Sequence, residues 1–247
     1  MPDEPDEIDD TATARAGSLR VSDDRALTAF RAECAALSEA VSGLTEAEWN
    51  LPTRCAPWTV RDLLGHVSVV IDWLPAMLDA PAPAEAEISA VEYYRPDDRF
   101  SPRTNGTRIA LARDRAARSA DGTAHAEDFA ATWRRVAALC GVEPAGRAVR
   151  TRHGDAMLLS EFLRTRVVEV AVHGLDLADA LGHEPWLTSA AGESVLELLL
   201  GPGHGAAADE LGWSRPHFLR KATGREPLTA AESARVERLG IRWLALG

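Results

Sequence analysis

Two side chains in the segment Phe162 to Leu181, a glutamate and a histidine, have the spacing of two ligands for one divalent metal ion. Glu169 and His173 are four residues apart, so in a helix both leave the same face one turn apart. A third ligand has to come from another helix, and His66 in RDLLGHVSVVIDWL is the candidate. The sequence therefore predicts a metal site formed by His66, Glu169 and His173.

The segment that carries this pair is predicted to be a helix with two neighbouring faces. An apolar stripe at helical spacing would pack in the core: Leu163, Val167, Val170, Leu177 and Leu181. About 100° round the helix lies a polar row: Arg166, Glu169, His173 and Asp176. From spacing alone this row could also be a solvated face with i,i+3 ion pairs, and His66 could be an ordinary half-buried histidine.

Composition limits the class of protein. With 247 residues, 46% of them hydrophobic, the chain can form one large domain or one domain with a small appendage. The formal net charge of −11 would repel phosphate backbones, so we expect no nucleic-acid partner. The sequence contains no transmembrane-length apolar run and no secretory signal. The three cysteines form no CxxC pair, and we expect reduced thiols in a cytoplasmic protein.

Helical periodicity extends over most of the chain, whereas residues 1–21 are acidic and typical of a disordered tail. Ser22 can cap a first helix that runs to about Gly43. Capping patterns occur at Thr45–Glu48, Thr59–Asp62 and Thr229–Glu232. Further helices are predicted over residues 105–119, 125–140 and 188–201.

Three connections separate these helices. Residues 79–104 form a long connection, which is typical of a lid or binding loop. Residues 141–155 are predicted to be extended or a turn. The stretch 201–213 is predicted to be a glycine-rich loop, but it lacks the spacing of a phosphate-binding loop.

Side chains near the predicted ligands each have a structural alternative. Asp62 is assigned to the capping pattern rather than to catalysis. Asp176 and Arg166 could orient His173 or neutralise an acidic substrate, or could form surface ion pairs. His153 and Asp155 could line the cleft but are assigned to a turn. Cys55 is assigned to an inert buried thiol, and Trp58 and Trp73 are assigned to core or rim packing rather than to stacking platforms.

Two motifs resemble a known family. PWTVRDLLGHV, followed about a hundred residues later by RVVEVAVHGLDLADALG, is similar to the mycothiol-dependent maleylpyruvate isomerase family. The resemblance implies an all-α, DinB-like four-helix bundle over residues 22–183. It also implies that a divalent metal, usually zinc, is held by the histidine of D-L-L-x-H and by the Glu and His of E-x-x-x-H. Those positions are His66, Glu169 and His173.

The chain departs from this family after Gly182. The isomerase has an additional C-terminal α/β domain that contributes to its active site, whereas residues 184–247 here are predicted to be a helical C-terminal extension. The resemblance implies an enzyme that binds a low-molecular-weight thiol, mycothiol, as a thiolate for S-transfer or isomerisation of a small electrophile. The alternatives are a non-catalytic DinB-like binding or regulatory protein and a metal-dependent hydrolase.

Overall fold

The computed structural model describes residues 10–95 and 101–241, with only the backbone for residues 10–24 and 102. These residues form helices and one short hairpin. The elements in chain order are α1 (Asp10–Val41), α2 (Glu46–Trp49), α3 (Val60–Ile71), α4 (Trp73–Asp79), α5 (Ala90–Tyr93), α6 (Pro102–Ala116), α7 (Gly122–Gly141), β1 (Ala148–Arg150), β2 (Ala156–Leu158), α8 (Leu159–Leu181), α9 (Ser189–Leu200), α10 (His204–Leu211), α11 (Arg215–Ala222) and α12 (Ala230–Arg238).

Four helices form the central bundle. α1 and α3 each pack against both α7 and α8, so the four enclose one core, and α6 packs on the outer side of α3. α9 packs on α1 and α8, and α11 contacts α8 and α9. The prediction of an all-α four-helix bundle with a helical C-terminal extension is confirmed.

The predicted apolar stripe of α8 faces this core. Leu163, Val167, Val170 and Leu177 are buried. Gly182 then ends the helix in the left-handed conformation, at φ 68°, which a glycine adopts without steric cost. On the neighbouring polar row of the same helix, Glu169 and Arg166 contact α3 through His66 and the Val70 carbonyl.

The start of α3 is fixed by the predicted capping box. The Thr59 hydroxyl accepts a hydrogen bond from the Asp62 amide at 3.3 Å, and the Asp62 carboxylate accepts one from the Thr59 amide at 3.2 Å. Asp62 therefore has the structural role predicted for it. The boxes at Thr45–Glu48 and Thr229–Glu232 are also present.

Two predicted irregular segments contain helix instead. α1 begins at Asp10, twelve residues before Ser22, so residues 10–21 of the predicted tail are helical, and residues 1–9 lie outside the described residues. The predicted glycine-rich loop contains α10, His204–Leu211. Both segments are rich in alanine, whose high helix propensity outweighs the neighbouring charged residues and glycines.

The predicted connections are otherwise found where expected. The segment 79–104 contains the short helix α5 and the start of α6, and its residues 96–100 lie outside the described part of the chain. The segment 141–155 contains the strand β1, which pairs antiparallel with β2, and Val149 lies opposite Met157. Among the described residues, no helix is both long enough and apolar enough to cross a bilayer.

Gly65 allows α6 to approach α3 closely, next to the predicted ligand His66. A Cβ atom at Gly65 of α3 would lie 2.5 Å from the backbone oxygen of Ala112 in α6. A Cβ atom at Gly106, elsewhere in α6, would meet no atom within 4 Å. We therefore expect Gly65→Ala to lower the free energy of unfolding by about 1–3 kcal/mol. The control Gly106→Ala should raise it by about 0.5–1 kcal/mol. Urea denaturation measures both, and equal stability of Gly65→Ala and wild type would contradict the close packing of α6.

Candidate metal centre

α3 and α8 bring the three predicted ligands together. The Nε2 atom of His66 lies 3.3 Å from Oε2 of Glu169, and Nε2 of His173 lies 3.5 Å from the same oxygen. One ligand atom from each residue lies within 4.8 Å of the other two. We call His66, Glu169 and His173 the ligand cluster.

These distances fit a shared cation. Bonds of about 2.0–2.1 Å in a tetrahedral zinc site place neighbouring ligand atoms about 3.3–3.5 Å apart. The two distances from Glu169 Oε2 to the histidine nitrogens, 3.3 and 3.5 Å, lie in this range. Three protein ligands leave a fourth position free for water or substrate, which is the arrangement of catalytic rather than structural zinc sites.

Both imidazoles are held by a neighbouring side chain. The ring of Trp58 stacks on His66 with a centroid distance of 4.7 Å and an interplanar angle of 23°. Nδ1 of His173 lies 3.0 Å from Oδ2 of Asp176. This bond leaves Nε2 of His173 directed towards Glu169, as in metal sites where a carboxylate orients the ligating histidine. Trp58 thus does more than the core or rim packing predicted for it.

Asp176 is the centre of a second cluster. It is fully buried, and its carboxylate accepts hydrogen bonds from Nε and Nη2 of Arg225 at 3.0 and 2.9 Å. The thiol of Cys55 donates to the same carboxylate at 3.2 Å. Cys55 is half-buried, with a polar partner, rather than the inert buried thiol predicted. Sequence reasoning did not find Arg225, because a single arginine in a loop has no periodicity.

Burial and hydrogen bonds together shift the pKa values of the three residues of the ligand cluster. Burial opposes ionisation of Glu169, but hydrogen bonds from His173 and His66 prevail and hold its pKa well below the usual value. Burial also opposes a charge on His173, but hydrogen bonds to Asp176, Cys55 and Glu169 raise its pKa well above the usual value. Burial lowers the pKa of His66. Without a metal ion, these shifts favour the charged forms of Glu169 and His173 and the neutral form of His66.

Arg166 is fully buried rather than part of a solvated face. Its guanidinium lies 4.6 Å from the centre of the Phe162 ring, and its Nη1 donates to the Val70 carbonyl at 3.2 Å. Its charge contributes to the low pKa of Glu169. Because Arg166 and Asp176 are both fully buried, surface ion-pairing is excluded as their role.

A cavity of about 570 Å³ opens beside the ligand cluster. This volume is typical of a site for a small molecule. Its wall is formed by Arg54, Cys55, Ala56, Trp58, His66, Val70, Trp73, Tyr93, Tyr94, Asn105, Arg108, Ile109, His153, Glu169, His173, Thr223, Gly224 and Arg225. His153 thus contributes to the cavity from the turn between β1 and β2, and Asp155 lies in that turn as predicted.

Comparisons with known proteins agree on one group. Residues 30–178 match the family model described as mycothiol maleylpyruvate isomerase N-terminal domain. A solved structure of a histidine-to-alanine mutant of the mycothiol-dependent maleylpyruvate isomerase is similar, with 19% identity, a TM-score of 0.49, and coverage of 70% of this chain and 68% of that one. A second structure of the mycothiol-dependent maleylpyruvate isomerase has 20% identity, a TM-score of 0.46, and coverage of 76% and 69%. No curated protein matches the chain.

Proposed function

Because the chain belongs to the mycothiol maleylpyruvate isomerase N-terminal domain family, we propose that it is a metal-dependent enzyme that uses a low-molecular-weight thiol, mycothiol, on a small electrophile. The reaction would be S-transfer or isomerisation. The observation that carries this proposal is the convergence of His66, Glu169 and His173 at the wall of a cavity.

The ligand cluster supplies two nitrogens and one oxygen, a donor set that suits zinc and several other divalent ions. When bound there, such an ion would lower the pKa of a coordinated thiol so that the thiol is held as a thiolate. A free thiol has a pKa of about 8.5 and is mostly protonated at neutral pH, so this would increase the supply of the nucleophile.

The protein's own residues would prepare the site for this thiol. Trp58 fixes the plane of His66, and Asp176 fixes the orientation of His173. Arg54 and Arg108 line the same cavity, where guanidinium groups could pair with a carboxylate or other anionic group of the bound molecules.

The chemistry would consist of forming one bond and breaking another at the electrophilic carbon. In an isomerisation, the thiolate sulfur would add to one carbon of a conjugated double bond, and the π-electron pair would move onto the conjugated carbonyl. The former double bond, now single, would rotate, and its re-formation would break the carbon–sulfur bond and return the thiolate. In an S-transfer, the sulfur displaces a leaving group, which departs with the bonding electron pair. Both reactions begin with the same nucleophile, so the cavity rather than the ligand cluster would select between them.

Thiol dependence is the experiment that tests this proposal. We expect the zinc-loaded protein to convert a reactive electrophile, such as an α,β-unsaturated acid or an aryl halide, at least about 100-fold faster with mycothiol than without it. The measurement is the initial rate with and without thiol, with metal-stripped protein as the control. A metal-dependent rate that is indifferent to mycothiol would overturn the proposal and would favour the hydrolase alternative. A protein that takes up no stoichiometric metal would favour the non-catalytic alternative.

A further inference from the structure

The C-terminal extension reaches the ligand cluster through Arg225, which follows α11. Its Nε and Nη2 atoms donate to the two oxygens of Asp176 at 3.0 and 2.9 Å. The side chain of Arg225 is 9% exposed and that of Asp176 is 0% exposed. A two-point, charge-assisted contact of this kind fixes the plane of the carboxylate, and burial protects it from screening by solvent.

The plane of Asp176 in turn determines where His173 points. Oδ2 of Asp176 receives both the Arg225 Nη2 contact and the His173 Nδ1 contact at 3.0 Å. If the carboxylate rotated, Nδ1 of His173 would lose its partner and the imidazole could turn away from Glu169. Arg54 lies 4.0 Å from Oδ1 of Asp176 and is 39% exposed, so it offers a weaker replacement for Arg225.

We propose that Arg225 is a positioning residue of the metal site, and that it links metal binding to the docking of the C-terminal extension. The link runs from Arg225 through Asp176 to His173. Because coupling between two binding events is reciprocal, metal would strengthen the docking of the extension by the same factor by which docking strengthens metal binding. This inference rests on the proposed function, since it requires a cation in the ligand cluster.

The chain contains a matched contact that lacks this link. Arg220 in α11 forms an ion pair with Asp179 of α8, three residues after Asp176. It therefore joins the same two parts of the molecule as Arg225. Asp179 pairs with Arg220 and Arg54 rather than with a residue of the ligand cluster, and the Arg220 and Asp179 side chains are 21% and 35% exposed. Arg220→Ala thus controls for the loss of an ion pair between the extension and α8.

The test measures the affinity for Zn²⁺ by competition with a chromophoric chelator. We expect Arg225→Ala to bind Zn²⁺ about tenfold more weakly than wild type, since loss of an outer partner of a ligating histidine costs about 10–100-fold. Arg225→Lys, which keeps the charge but not the two-point contact, should fall between the two. Arg220→Ala should bind as wild type does. The visible spectrum of bound Co²⁺ should change in Arg225→Ala, should change less in Arg225→Lys, and should stay that of wild type in Arg220→Ala.

Hydrogen exchange tests the reciprocal effect. Zn²⁺ should slow amide exchange in α11 and α12 of wild type and of Arg220→Ala, but should slow it less in Arg225→Ala. Equal Zn²⁺ affinity and equal Co²⁺ spectra for wild type and Arg225→Ala would overturn this inference and leave the proposed function standing. A wild-type protein that binds no Zn²⁺ would overturn both. If Arg225→Ala does not fold, Arg225→Lys takes its place in the comparison. A Zn²⁺ affinity and a Co²⁺ spectrum of Arg225→Lys equal to those of wild type would then overturn the inference.

Discussion

Glu169→Gln should lower the affinity of the protein for Zn²⁺ by more than about 100-fold, because even the loss of an outer partner of a metal ligand costs about 10–100-fold. Oε2 of Glu169 lies between the two histidine nitrogens, at 3.3 and 3.5 Å. Glutamine keeps the size of the side chain but removes the negative charge that faces the cation. Thiol-dependent turnover should fall to the rate of the metal-stripped protein.

The control for this variant is Glu184→Gln, which makes the same chemical change at an exposed position after α8. It should keep the Zn²⁺ affinity and turnover of wild type. His66→Ala provides an independent check, because it removes a ligand from the other helix and should also abolish retention of metal while leaving the helix content intact. Stoichiometric Zn²⁺ in purified Glu169→Gln would show that Glu169 is not a ligand.

Asp176→Asn should destabilise the metal-free protein by about 3 kcal/mol, because it breaks a buried ion pair and leaves a charge uncompensated. Four donors point at the Asp176 carboxylate, one from His173, one from Cys55 and two from Arg225. An asparagine offers one acceptor oxygen in the same place and presents an amide to the remaining donors. The variant should also bind Zn²⁺ about 10–100-fold more weakly, since His173 loses its orienting carboxylate.

Asp179→Asn is the matched control for this second variant. Asp179 lies on the same helix and pairs with Arg220 of the same extension, but its side chain is 35% exposed. An exposed pair of this kind contributes less than about 1 kcal/mol. Urea unfolding of the metal-free proteins and chelator competition with Zn²⁺ measure both effects. A loss of stability that is the same in the two variants would contradict the buried role assigned to Asp176.

The fold was largely predictable because its helices have strong local signals. The apolar stripe of α8, the capping box that begins α3 and the glycine after Leu181 each determine structure over a few residues. The helical start of α1 at Asp10 and the helix α10 were not predicted. In both segments the local signals conflict, with alanine favouring a helix and neighbouring charges or glycines favouring a loop.

The metal site was predictable in part for the same reason. The spacing of Glu169 and His173 places both on one face of α8, and His66 was the candidate from another helix, which the resemblance to a family then supported. The structure brings the three together, and their binding of a metal ion stays a prediction. Arg225 and Cys55 contact Asp176 across 49 and 121 residues of sequence. Such long-range contacts depend on how the extension and the segment before α3 pack, which no local pattern encodes.

The most direct test of the metal site is anomalous diffraction at the zinc absorption edge from crystals of the Zn²⁺-loaded protein. The predicted result is one strong peak between α3 and α8, about 2.0–2.2 Å from Nε2 of His66, a carboxylate oxygen of Glu169 and Nε2 of His173. A peak coordinated by other side chains, or no peak at this position in protein that contains stoichiometric zinc, would contradict the account.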